Sequence, residues 1–404
     1  MNDNSELLHP LRIGPLTTPT NLVLSPMSGV TDCAFRTTVL EASGRESVGL
    51  LVSEFVAAEG LSRDNGKTIA MLRYEEVERP FSIQIFGADV DRMVRAARMV
   101  EEVGADIVDI NCGCPAPKVV RRGGGAQLMR TPEALRDIVR AVRAAVSIPV
   151  TVKIRAGWDD SSRNAVDVAR MVEDEGAAML AVHGRTRLQL YSGEADWDLI
   201  GEVHSRLSIP VIGSGDVVDA RGALARLRGG YADGVMIGRG AISNPWIFGQ
   251  TLAMARGEEV PEPSTVDRVE ILSFFSRVLA ETKELRAYVG RLRGLACHMA
   301  KGLPGGAATR RVLGKATTAP DIERIVREFL LEGRRFDDHA DASHPDYGRR
   351  VQAITGGNVA IDEQSSDGEQ SSDGEHSSDG EEPADAAEAA DAGRPGTASM
   401  SNVA

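Results

Sequence analysis

The sequence predicts an α/β protein: a (β/α)8 TIM barrel, then a small all-helical domain, then a disordered acidic tail. Three observations carry that reading. Eight short, near-continuously apolar runs alternate with helix-like stretches between Leu22 and Gly240. The pattern turns purely helical after the Pro-rich joint VPEPST. The chain finishes with three near-copies of one acidic unit, QSSDGE, QSSDGE and HSSDGE.

In order, the eight runs are LVLSPM from Leu22, VGLLVSEF from Val48, FSIQIFG from Phe81, DIVDIN from Asp106, PVTVKIR from Pro149, AMLAVHGR from Ala178, IPVIGSGD from Ile209 and ADGVMIGRG from Ala232. Strands covered on both faces carry continuous apolar runs, because neither side meets water. Between them, VDRMVRAARMVEEVGA places Val90, Met93, Val94, Ala97 and Val100 at helical spacing, and Gly104 stops it. TPEALRDIVRAVRAAV opens with Thr131 as N-cap, Pro132 in the first turn and Glu133 beside the helix dipole. An open doubly wound sheet is the competing arrangement, but no GxGxxG follows the first strand. Eight strand–helix repeats favour the closed barrel. The expected domains are residues 1–256 (barrel), 257–345 (helical) and 346–404 (tail).

Of the 404 residues, 42% are hydrophobic and 26% charged, ordinary for a soluble globular chain. No apolar run approaches the roughly 18 residues that span a bilayer. The opening MNDNSELLHP is acidic and has no apolar segment, unlike a signal peptide. Cys33, Cys112, Cys114 and Cys297 are too few for a disulfide framework in so long a chain, which favours the cytoplasm. No Cys or His pairs sit at ligand spacing, so no metal is expected. The net charge of −13 conceals an asymmetry. Residues 361–404 hold 12 Asp/Glu and one Arg, which leaves only −2 on the residues before them. Within that near-neutral body, residues 283–320 carry eight Lys/Arg against Glu284 alone. A basic patch of this kind suits an anionic polymer, although a solvated helix face has the same signature. The acidic repeats have little apolar content to offset chain entropy.

Polar side chains cluster where a barrel keeps its active site, at the carboxyl ends of the strands. They are Ser25 and Met27 after the first, Glu54 after the second, Gln84 within the third, and Asn111 and Cys114 after the fourth. Lys153 and Arg155 end the fifth, His183 and Arg185 the sixth, Ser214 and Asp216 the seventh, and Arg239 the eighth. GSGD (213–216) and IGRG (237–240) are Gly-rich turns after strands seven and eight, the usual phosphate site of such barrels. Lys153 is expected to point to the barrel centre, where an ammonium stabilises negative charge.

The stretches LSPMSGVTDCAFR, QIFGAD, DINCGCPAPKVVRRGGGAQL, PVTVKIRAGW, VHGRTRLQLYSGEADW, PVIGSGDV, DGVMIGRGAISNPWIF and KGLPGGAATRR follow one another in family order. In these, the chain resembles the bacterial tRNA-dihydrouridine synthases, most closely the B-type branch. The resemblance implies an FMN-binding barrel, a helical domain that grips tRNA, and NADPH as electron donor. It implies that Pro26, Met27 and Ser28 lie along the isoalloxazine, that Gln84 and Lys153 hydrogen-bond the ring, and that His183 helps hold it. Ser214, Gly215, Asp216, Gly238 and Arg239 would hold the ribityl-phosphate end, and Cys114 would be the proton donor. Asn111, Arg155, Arg185, Lys301, Arg310 and Arg311 are the expected substrate contacts, and the protein is expected to be a monomer. Four positions depart from the family pattern. Cys112 stands where Met is usual, Ser214 where Asn is usual, and His298-Met299 replaces an aromatic pair, removing stacking surface from the domain expected to face RNA.

Reducing the C5–C6 bond of uracil needs a hydride at one carbon and a proton at the other. A thiol with an ordinary pKa of about 8.5 is mostly protonated near neutrality and suits the second task. A position near a helix N-terminus or basic residues would lower that pKa and favour thiolate, and Lys118, Arg121 and Arg122 are close in sequence. The target uracil must leave its stack to reach such a site. Two other readings compete. One is a free-pyrimidine oxidoreductase of the dihydroorotate dehydrogenase type, which needs no basic helical domain. The other is an RNA-binding protein without redox activity, against which Cys114, Lys153 and His183 all weigh.

Overall fold

The computed structural model describes residues 4–282 and 285–336. The acidic repeats and the last residues assigned to the helical domain lie outside the described residues. Eight parallel strands form the barrel: β1 (Leu22–Leu24), β2 (Leu50–Val52), β3 (Phe81–Phe86), β4 (Ile107–Asn111), β5 (Val150–Arg155), β6 (Met179–His183), β7 (Val211–Ser214) and β8 (Gly234–Ile237). Each pairs with its neighbours in sequence, and β8 pairs with β1 to close the ring. All eight apolar runs of the sequence are strands. A short hairpin, Arg12–Ile13 with Leu16–Thr17, precedes them.

Alternation along each strand separates two apolar layers. On β4, Val108 and Ile110 face the helices, whereas Ile107 joins Val23, Leu50, Val52, Met179, Ala181, Ile212 and Met236 inside the barrel. Leu11 and Ile13 from the hairpin region join that interior cluster. The interior is apolar toward the amino ends of the strands and becomes polar toward the carboxyl ends. Ile107 gives way to Asp109 and Asn111, and Met179 and Ala181 give way to His183. Full burial of each large apolar side chain contributes roughly 1.5–3 kcal/mol, and this gradient leaves the polar residues at one end.

The helix over Val90–Glu102 buries Met93, Ala96, Ala97 and Val100, and Asp89 caps it by accepting from the Arg92 N–H at 2.9 Å. The helix over Pro132–Ala145 begins where expected, but its cap differs. The Thr131 hydroxyl donates to the Gln127 carbonyl at 3.4 Å, because the 3-10 turn over Gly125–Arg130 presents that oxygen to it. Beneath the barrel wall, Arg36 is paired with Glu78, both fully buried. Arg36 also donates to the carbonyls of Thr31 at 2.8 Å and Arg73 at 2.9 Å, so the desolvated pair ties the 70s loop to the helix over Cys33–Ser43.

Four helices follow the barrel: Thr265–Thr282, Leu285–Met299, Gly306–Lys315 and Ala319–Leu330. The first packs on the helix over Cys33–Ser43, and their apolar faces join the outer core. Part of the basic stretch is used internally. Arg291 pairs with Asp32 at 3.2 Å and donates to the Val30 carbonyl, and Arg293 donates to the Ala316 carbonyl at 2.9 Å. Met299 is 2% exposed and belongs to the core. At Met299 the departure is a packing change, whereas His298 is half-buried. Among the described residues, no helix is long and apolar enough to cross a membrane.

Candidate active site

A cavity of about 500 Å³ opens at the carboxyl end of the barrel. It gathers most residues singled out from the sequence: Pro26, Met27 and Ser28 after β1, Asn111 and Cys114 after β4, Lys153 and Arg155 from β5, and His183 from β6. Ser214, Gly215 and Asp216 after β7, with Gly238 and Arg239 after β8, complete its wall. Strand register explains the grouping: Asn111 lies beside Lys153, and Arg155 beside His183.

Cys114 is fixed by its backbone. Its N–H donates to the Asn111 Oδ1 at 2.9 Å, its carbonyl accepts from the Ala126 N–H at 3.0 Å, and the Gly113 carbonyl accepts from the Arg155 Nε at 2.7 Å. Gly125, at φ +58°, packs so closely that a Cβ there would lie 2.7 Å from the Cys114 oxygen. Burial raises the Cys114 pKa above the ordinary thiol value, opposed by a hydrogen bond at Ala116 and by the Arg155 charge. The site therefore favours thiol, and the pull expected from Lys118, Arg121 and Arg122 does not decide its state. Cys112 is wholly buried in the outer core, where it packs.

Cations dominate the rest of the cavity. Burial and the Arg155 charge lower Lys153 to about 8, with buried Asp109 acting in the opposite direction. Burial, then Lys153, Arg155, Arg185 and Arg239, push His183 down to about 2, so its imidazole is neutral. Its Nε2 is buried without a partner among the described residues. Asp216 sits at φ +55°, a left-handed conformation that Asp tolerates better than most residues. There it accepts from Arg185 at 2.8 Å, from the Ala195 N–H at 2.8 Å and from Arg239 at 3.3 Å. Gly215, at φ +137°, passes so near Ala195 that a Cβ would lie 2.3 Å from its methyl group. The turn thus presents bare backbone to the cavity.

Five expected contacts sit outside the cavity lining. Gln84 is fully buried beneath the floor, where its Nε2 donates to Asp109 at 2.5 Å and its Oε1 accepts from Asn111 at 2.6 Å. Arg185 is 2% exposed and holds the carbonyls of Ser192 and Gly193 together with Asp216, so it braces two loops. Lys301, in the turn after the helix over Leu285–Met299, and Arg311 are exposed and Arg310 is half-buried on the helix over Gly306–Lys315, all outside the cavity lining. Sequence reasoning missed Phe55, Leu190 and Tyr191, which also line it. Tyr191 is 59% exposed beneath the Arg239 guanidinium, 4.6 Å from its ring. An aromatic inside the polar run QLYSG was the available signal. Asp109 was missed as well, although a carboxylate within an apolar strand run is itself a signal. Among the described residues, no group of three or more His, Cys, Asp or Glu is placed to hold a metal ion.

A closed parallel barrel that gathers a protonated thiol, a lysine and two Gly-rich turns at its carboxyl end defines a TIM-barrel enzyme with an anion-accepting site. Residues 23–331 match the dihydrouridine synthase (Dus) family, and the chain belongs to it. It is 42% identical over 288 residues to tRNA-dihydrouridine synthase B of Pseudomonas putida, covering 70% of this chain and 82% of that one. It is 40% identical over 331 residues to a probable tRNA-dihydrouridine synthase of Mycobacterium tuberculosis, covering 78% and 84%. Among solved structures, a histamine dehydrogenase from Rhizobium sp. 4-9 is similar at a TM-score of 0.49 and 14% identity, covering 68% of this chain and 51% of that one.

Proposed function

We propose that the protein reduces the C5–C6 double bond of uridines in tRNA to 5,6-dihydrouridine, with FMN as cofactor and NADPH as reductant. One observation carries this reading: a buried, protonated thiol faces the same cavity as an ammonium and a neutral imidazole.

The residues fit FMN on three counts. The cavity lies within the about 300–1,000 Å³ typical of cofactor sites. Its cations exceed the carboxylates that face them, which suits a phosphate and an electron-rich ring. The unpartnered His183 Nε2 awaits a hydrogen-bond partner. Lys153 and His183 would hold the ring, and Pro26, Met27 and Ser28 would lie along it. The turns at Ser214, Gly215 and Asp216 and at Gly238 and Arg239 would hold the phosphate. When bound and reduced, FMN supplies the hydride for uracil C6.

The chain's own residues do the rest. Cys114 holds a proton at Sγ and delivers it to C5 from across the base. Arg155, beside it, stabilises the thiolate left behind, and solvent reprotonates that sulfur after release. Asn111 keeps the turn in place through the Cys114 N–H. The exposed Lys301 and Arg311, with half-buried Arg310, would meet RNA phosphates, which steer binding without reading sequence.

Purified protein should be yellow and should consume NADPH in proportion to dihydrouridine formed in unmodified tRNA, and not with free uracil or orotate. Turnover of a free pyrimidine instead would favour the competing oxidoreductase reading. A colourless protein that takes up no FMN would overturn the proposal.

A further inference from the structure

The barrel interior holds a buried carboxylate that the proposed chemistry leaves unused. We propose that Asp109 is a positioning residue for Cys114, which acts by fixing the direction in which two side-chain amides point. The inference rests on the reading of Cys114 as proton donor.

Strand register builds the arrangement. Gln84 on β3 and Thr151 on β5 both lie beside Asp109 on β4, so three interior side chains stand in one layer. Asn111 is two residues further along the same strand and therefore directly above. Asp109 is 4% exposed and accepts twice, from the Thr151 hydroxyl at 2.5 Å and from the Gln84 Nε2 at 2.5 Å.

The order of donors and acceptors is then fixed between the carboxyl oxygens at one end and two backbone N–H groups at the other. Burial raises the Asp109 pKa, yet both observed contacts donate to its oxygens, and Gln84 turns its NH2 toward it. That leaves the Gln84 Oε1 to face Asn111, whose Nδ2 donates to it at 2.6 Å. The Asn111 Oδ1 is left to face the catalytic turn, where it accepts from the N–H groups of Gly113 at 3.2 Å and Cys114 at 2.9 Å. Those two groups only donate. Reversing either amide would therefore set N–H against N–H at a buried contact, which costs about the desolvation penalty of an unmade hydrogen bond. The chain closes in one sense only, with an acceptor at one end and two backbone donors at the other. The Gln84 backbone is itself held by its N–H donating to the Ser53 hydroxyl at 3.0 Å.

The test compares Asp109→Asn with Asp109→Leu in the flavin-loaded enzyme, with Gln84→Met as a second break in the chain that retains packing volume. Asn can still present an oxygen to Gln84, whereas Leu cannot. With Asp109→Leu and Gln84→Met, dihydrouridine formation at saturating tRNA should fall about tenfold, the scale of one net hydrogen bond, with KM for tRNA little changed. Alkylation of Cys114 by iodoacetamide, resolved by peptide fragmentation, should speed up in the same two variants as the turn loosens. Asp109→Asn should recover most of both properties. Wild-type turnover and alkylation in Asp109→Leu would overturn the proposal. So would an Asp109→Asn variant as impaired as Asp109→Leu, since the charge and not the acceptor would then matter. If Asp109→Leu fails to fold, Gln84→Met decides alone. Should the wild-type protein reduce no uridine, the functional reading fails, while Cys114 alkylation still reports on the relay.

Discussion

Lys153 allows a quantitative test of the cofactor site. With its pKa lowered to about 8 by burial and by Arg155, about ten ammonium groups stand for each amine at pH 7. A ring acceptor that takes a hydrogen bond from it favours the charged form and raises that pKa. A hydrogen bond to a charged group contributes about 1.5–3 kcal/mol, so the bound pKa should lie roughly one to two units higher, at about 1.4 kcal/mol per unit. The sign follows from linkage. Affinity is greatest below the free-site pKa, falls by up to tenfold per unit of pH as pH rises through about 8, and levels off near the bound pKa. Lys153→Met should weaken FMN by about 10–100-fold at pH 7 and abolish the slope, because the titrating group is gone. Quenching of flavin fluorescence, titrated from pH 7 to 10.5, measures both effects. Starting at pH 7 keeps the phosphate largely dianionic, since its second ionisation lies near 6. Affinity that stays flat between pH 8 and 9.5, or a slope that survives in Lys153→Met, would refute the reasoning.

Other consequences follow from the same geometry. Cys114→Ala should keep its yellow colour and lose dihydrouridine formation by about 10²–10⁴-fold, the range of general-acid catalysis, as read by product analysis of tRNA. Gly125→Val would force a Cβ to 2.7 Å from the Cys114 oxygen at φ +58°. It should cost about 1–3 kcal/mol in a denaturation midpoint and lower turnover by displacing the thiol. Charge reversal at Arg310 and Arg311 should weaken tRNA binding, reduce the log–log salt slope by roughly one to two, and leave the flavin bound. An unchanged salt slope would place the RNA on another surface.

The barrel was legible because its strands are buried on both faces, which writes burial directly into runs such as VTVKIR and IVDIN. Polar residues at strand ends were legible for the same reason: each breaks an apolar run where a barrel opens to its ligand. Orientation at depth was not legible. Gln84 and Arg185 look like ligand contacts in one dimension, yet register sends Gln84 to Asp109 and the loops draw Arg185 to Asp216. The thiol was read as protonated, but the neighbours in sequence are a poor guide to its surroundings. Burial outweighs Lys118, Arg121 and Arg122, and the one cation that acts on Cys114 is Arg155, from the adjacent strand. Arg291 and Arg293 read as part of a nucleic-acid patch, but side-chain reach takes both into internal carbonyls. Tyr191 escaped because a loop aromatic acquires meaning only when the loop folds over the cavity.

Shifts at three groups share a cause, and together they predict how the ligand-free protein responds to pH. Lys153, Arg155 and His183 are all held below their ordinary values because burial strips water from their charged forms, and neighbouring cations add to the effect. For Lys153, the unfolded chain binds the proton more tightly between about 8 and 10.5, so stability rises with pH in that window, by about 3 kcal/mol if fully expressed. For His183, the unfolded chain takes up a proton below about 6.5 that the native imidazole refuses until about 2, so stability falls as the solution is acidified. FMN would flatten the first of these slopes, because a hydrogen bond to its ring raises the Lys153 pKa back toward the ordinary value. Bound ligand adds about 2.7 kcal/mol at a hundredfold excess over Kd, and that excess shrinks above pH 8 as affinity falls. Melting curves with and without FMN should therefore lie furthest apart near pH 7 and converge toward pH 10. A gap that widened with pH would mean that Lys153 is not the group the cofactor meets.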